Sequence, residues 1–95
     1  MIVDCHATDE ARANVPAVVH VDSTVRPQVV SETDRPLYAA LIGAFADETG
    51  VPVVLNTSFN REDEPIVCTP LDALRTFHAT PLDTLFIGGF MVSKA

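Results

Sequence analysis

Lysine occurs once in these 95 residues, at Lys94, and tryptophan not at all. Six Lys and Arg stand against 13 Asp and Glu, giving a net charge of −7. Nucleic-acid binding draws its affinity from cations that displace counterions, so this scarcity excludes nucleic acid as a partner. An anionic membrane surface is excluded on the same ground. The deficit also argues against a self-contained phosphate site, which uses clustered cations or a glycine-rich cradle. Glycine is scarce as well, with four residues and no such loop. The two cysteines, Cys5 and Cys68, have no CxxC neighbour. Cys5-His6 is an adjacent pair with no second pair at finger spacing, which argues against a structural metal. The first residues lack a basic stretch followed by an apolar one, so the expectation is a cytoplasmic protein with free thiols. No apolar run approaches the length of a membrane span.

What is present suits one small folded domain. Hydrophobic residues make up 47% of the chain and mean hydropathy is +0.24. Such a value is slightly apolar for a chain with this much surface to cover, and fits either a docking face or a compact monomer with scattered apolar surface residues. Residues 1–14 form a lead-in segment without apolar periodicity, which leaves its order open, and residues 15–95 form the domain. Residues 17–22 read as a β-branched strand and residues 26–30 as a second, irregular one because of Pro27. Residues 36–49 read as a helix, with Leu37, Leu41 and Phe45 at a spacing of four. Asp34 suits its N-cap, Pro36 its first turn and Gly50 its end.

Residues 51–55, almost wholly apolar, read as a central strand, and residues 65–68 as a short extended return. Thr69-Pro70-Leu71-Asp72 is a helix start with cap, N1 proline and N3 acid, and the helix runs to about Thr80. Residues 85–87 read as a last strand, which 90–92 extend. The expected fold is α/β, or α+β, with two helices on a small open mixed sheet in the order ββαβ-loop-βαβ.

Ligands of open α/β sheets sit beyond the carboxyl ends of strands, where Asn56, Thr57, Ser58 and Asn60 would stand. Their amides and hydroxyls can fix carbonyl, ribose or phosphate oxygens. The same residue types also make turns to their own backbone, so both roles stay open. A second candidate is the segment His20-Val21-Asp22-Ser23-Thr24-Val25-Arg26-Pro27-Gln28. Arg26 could fork onto a phosphate, or pair with an aspartate to brace a turn. His6, His20 and His78 are scattered and define no nucleophilic triad. His78 suits the negative end of a helix. The acidic run 62–64 suits a solvated loop.

The stretch Gly50-Val51-Pro52-Val53-Val54-Leu55-Asn56-Thr57-Ser58-Phe59-Asn60 resembles the signature of the nodulation-factor and antibiotic O-carbamoyltransferases. Glu64-Pro65-Ile66-Val67-Cys68-Thr69-Pro70, Asp72-Ala73-Leu74, Phe77, Thr80, Leu82-Asp83 and Ile87-Gly88 continue the likeness. Upstream, Pro16-Ala17, His20-Val21-Asp22, Thr24, Arg26 and Gln28 follow in the same order. The similarity covers about residues 15–92. It implies the last part of a YrdC-like C-terminal domain, which in full-length members forms carbamoyl adenylate from carbamoyl phosphate and ATP. An N-terminal actin-like, metal-containing domain then passes the carbamoyl group to a hydroxyl of a sugar or natural product. The resemblance places Ser58 near the adenylate with Asn56 beside it, and Arg26 on a family arginine.

The departures are as informative as the matches. The basic segments and the actin-like domain of the family are missing from this sequence. The resemblance therefore implies a truncated or split domain, unable to bind a cofactor alone, with ATP a co-substrate only in the longer relatives. Its partner would be an N-terminal carbamoyltransferase chain. A non-catalytic module that dimerises or binds another partner is the alternative. Asp63 and Ser23 stand where the family commonly has glycine. If either position requires a positive φ, it is strained.

Overall fold

The computed structural model describes residues 3–94. The fold mixes helix and strand in an α+β manner, with two separate two-stranded antiparallel sheets. The chain divides into two compact units, Met1–Asn56 and Thr57–Ala95.

In the first unit, β1 (Cys5–His6) pairs antiparallel with β2 (Thr24–Val25), Cys5 opposite Val25 and His6 opposite Thr24. The Ala7 amide donates to the Ser23 carbonyl at 2.8 Å and continues the ladder. Ala7 is the buried residue of this pairing. Helix α1 (Asp9–Asn14) starts at Thr8, whose hydroxyl accepts from the Ala11 amide at 3.1 Å. The lead-in segment thus carries β1 and α1.

Residues 17–22 do not form the expected strand. Pro16 begins a single 3-10 turn, Pro16–Val18, as its fixed φ favours. A tight turn follows, in which the Ser23 amide donates to the His20 carbonyl at 2.9 Å. Residues 26–30 are also irregular, since Pro27 has no N–H to give a ladder.

Helix α2 (Pro36–Thr49) matches the expected span and ends at Gly50, whose φ of 79° is left-handed. Its N-cap is Arg35 rather than Asp34, and makes no side-chain cap bond. Asp34 instead accepts from the Ser31 hydroxyl at 3.0 Å and closes the preceding turn. Ala39, Ile42 and Ala46 are half-buried, whereas Leu37, Leu41 and Phe45 are 86%, 58% and 41% exposed. Residues 51–55 are not a strand. Their apolar run finds no ladder partner among the described residues, and a buried strand cannot exist without one.

In the second unit, residues 65–68 form no strand either, and the Val67 amide donates to the Phe59 carbonyl at 3.0 Å. Helix α3 (Pro70–Ala79) has the full capping box. The Asp72 amide donates to the Thr69 hydroxyl, and the Asp72 carboxylate accepts from the Thr69 amide, both at 3.1 Å. Ala73, Thr76 and Phe77 share its buried face, and Phe77 is wholly enclosed. Strands β3 (Thr84–Ile87) and β4 (Phe90–Ser93) pair antiparallel, with Thr84 opposite Ser93 and Ile87 opposite Phe90. Residues 90–92 therefore reverse on the last strand rather than extend it. Gly88, at φ 56°, makes the two-residue turn possible.

Candidate functional site

The first unit gathers the polar residues of the 20–28 segment around one hollow. Its lining includes Asp4, His20, Thr24, Arg26, Gln28 and Asn56. Position determines which side chains take part. The chain from Thr24 to Val30 runs along the hollow, so Thr24, Arg26 and Gln28 line it together with Val25 and Pro27.

Asp22 is the hub of the turn. It accepts from the Thr24 hydroxyl at 2.6 Å and the Thr24 amide at 3.0 Å. His20 Nδ1 stands 3.1 Å from the same oxygen. The Thr24 hydroxyl is the main cause, and the Thr24 amide the next, of a carboxyl held below the usual aspartate range, with His20 adding to the effect. Asp22 is thus a firmly ionised anchor for the loop. Ser23, at φ 66°, occupies the left-handed region that a glycine would fill without strain.

Arg26 is held by Asp4, Nε donating to Oδ1 at 2.8 Å. This contact realises the bracing role expected of the arginine, with Asp4 rather than Asp22 as its partner. Because Nε is the atom used, the two terminal nitrogens of the guanidinium remain as donors. Asn56 Nδ2 donates to Gln28 Oε1 at 3.0 Å. Arg26 and Asn56 therefore lie in one hollow. Asp4 and Gln28 were missed as their partners because the pairs join residues 22 and 28 positions apart.

Thr57, Ser58 and Asn60 belong to the second unit. Thr57 and Ser58 are exposed, and neither side chain makes a hydrogen bond among the described residues. Asn60 acts as a turn brace. Its Nδ2 donates to the Arg61 carbonyl at 2.8 Å and the Glu64 carbonyl at 3.1 Å, while its buried Oδ1 has no partner among the described residues. Asp63 is not in the left-handed region, so the strain entertained for it is not found. Arg61 sits 3.5 Å from both Asp63 and Glu64. No helix among the described residues is long and apolar enough to cross a membrane.

Over residues 1–94 the sequence matches the family described as carbamoyltransferase C-terminus, and the chain belongs to that family. Within it, the chain is similar to nodulation protein NolO of Bradyrhizobium diazoefficiens, at 49% identity over 90% of this chain and 16% of that protein. It is equally similar to nodulation protein NolNO of Sinorhizobium fredii, at 49% identity over 82% of this chain and 12% of that protein. A 3'-hydroxymethylcephem-O-carbamoyltransferase of Amycolatopsis lactamdurans shares 30% identity over 83% of this chain and 15% of its own length. The chain thus spans only 12–16% of the length of these three relatives.

Proposed function

We propose that this chain acts as the C-terminal part of an O-carbamoyltransferase, with Arg26 and Asn56 of the first unit and, separately, Ser58 of the second contributing to substrate binding. Thr57 and Asn60, on the same segment as Ser58, are further candidates for substrate contact. Support comes above all from the family match along residues 1–94, which includes a relative named as an O-carbamoyltransferase. The resemblance supplies the chemistry: carbamoyl phosphate and ATP yield carbamoyl adenylate, and a sugar or natural-product hydroxyl then takes the carbamoyl group. This chain's share is binding. The terminal nitrogens of Arg26 suit an anionic oxygen, the amide of Asn56 suits a polar substrate edge, and the unengaged Ser58 hydroxyl suits a phosphate oxygen. The remainder of the enzyme would supply the further cations and the acceptor site. The reading requires the cytoplasm, where ATP is available.

Calorimetric titration of the purified chain with carbamoyl phosphate and with ATP tests this reading. Saturable heat that weakens by about tenfold in Ser58→Ala, the loss of one hydrogen bond to a charged group, supports it. A folded chain that gives no heat with either ligand overturns direct binding. Co-expression with an N-terminal carbamoyltransferase chain then decides whether a complex restores transfer.

A second reading, a non-catalytic module that dimerises, draws on the exposed Leu37, Leu41 and Phe45 of α2. A single monomeric species in sedimentation at high concentration would overturn it.

A further inference from the structure

The contact between Gln28 and Asn56 leaves a particular pattern of unused groups. Each side chain is a primary amide with a carbonyl oxygen and an NH2. Asn56 Nδ2 and Gln28 Oε1 satisfy one another at 3.0 Å. The other ends, Gln28 Nε2 and Asn56 Oδ1, make no hydrogen bond among the described residues. The pair therefore offers one donor and one acceptor from residues that line the same hollow as Arg26.

A carbamoyl group ends in C(=O)NH2, which has the complementary pattern. Its NH2 can donate to Asn56 Oδ1 and its carbonyl can accept from Gln28 Nε2. An acetyl group of nearly the same shape keeps the carbonyl but replaces the NH2 by a methyl, which leaves the Asn56 oxygen without a donor. A site that hydrogen-bonds a group discriminates against the analogue that lacks it. The free nitrogens of Arg26 are suited to the anionic part of the same molecule.

We propose that Gln28 and Asn56 form a subsite that reads the carbamoyl amide and sets preference for carbamoyl over other acyl phosphates. The proposal rests on the carbamoyltransferase reading and assigns Asn56 the discriminating contact, with Gln28 holding it and binding the carbonyl. The contact already made to Asn56 holds the Gln28 amide in place before substrate arrives.

The test is titration of the 15N-labelled chain with carbamoyl phosphate and, separately, with acetyl phosphate, following the side-chain NH2 resonances of Gln28 and Asn56. Carbamoyl phosphate should shift both resonances and bind about tenfold more tightly than acetyl phosphate. Asn56→Leu, which removes the acceptor that reads the NH2, should bring the two ligands to nearly equal affinity, whereas Gln28→Met, which removes the donor to the carbonyl both ligands carry, should weaken both. A general loss of binding moves both ligands together, so the ratio of the two affinities is the readout. Equal binding of the two ligands by the wild-type chain, or a preference retained in Asn56→Leu, overturns the amide subsite while leaving carbamoyl phosphate binding intact. Failure of carbamoyl phosphate to bind overturns the functional reading, and the subsite with it.

Discussion

Asp72 shows how a single half-buried residue can organise an element. Its carboxylate accepts from the amides of Cys68 and Thr69 at 3.3 and 3.1 Å. The Thr69 hydroxyl is the main cause, and these two amides the next, of a carboxyl held below the ordinary aspartate range. Folding therefore favours the ionised form. The resulting stability is fully present above the unfolded-state pKa and is lost as pH falls through the lower folded-state value. Asp72→Ala should melt earlier than the wild type at neutral pH, and the gap should close in acid. A gap of constant size from neutral to strongly acidic pH would contradict the cap's charge dependence. Thr69→Ala removes the reciprocal partner and should cost about 1 kcal/mol in urea unfolding at neutral pH.

The elements that were legible in the sequence are those whose signals are local. Helix α3 announces itself through Thr69, Pro70 and Asp72, and α2 through its apolar period and Gly50. Residues 51–55 and 17–22 carry strand-like residues, but a strand is completed by hydrogen bonds to a neighbour, which composition cannot supply. The N-cap of α2 was misread because Asp34 found a nearer partner in Ser31. The candidate site was legible to the same extent. Arg26 and Asn56 stand out by type, whereas their partners Asp4 and Gln28 are set by the fold.

Two glycines test the account of α2 in opposite directions. Gly50 ends the helix at φ 79°, so Gly50→Ala should destabilise by about 1 kcal/mol. Gly43 lies inside the helix, and a Cβ there meets nothing within 4 Å. Gly43→Ala should stabilise by roughly 0.5–1 kcal/mol through reduced backbone entropy. Thermal melts of the two variants should move to opposite sides of the wild type. Shifts in the same direction would show that the local backbone does not govern this helix.

Across the whole molecule, large apolar side chains are mostly on view. Phe77 is fully buried, while Leu37, Phe86 and Phe90 are 86%, 74% and 76% exposed. A chain that spans 12–16% of its relatives' length carries surfaces that the remaining sequence of those proteins is available to cover. The molecule's charge is equally uneven in kind, with one lysine amine in the entire sequence. That amine lies 4.8 Å from the centre of the Phe77 ring and donates to the Thr80 carbonyl. Lys94 is consequently a built-in chemical reporter of the second unit. Acylation of the Lys94 amine should be slower while Phe77 is packed and accelerate as α3 and the hairpin come apart, read by mass spectrometry on the peptide that carries Lys94, apart from the α-amine of the chain. Equal rates in native buffer and in urea would show that the aromatic contact does not shield the amine. The scarcity of lysine thus makes one covalent event a clock for unfolding, without any label being introduced.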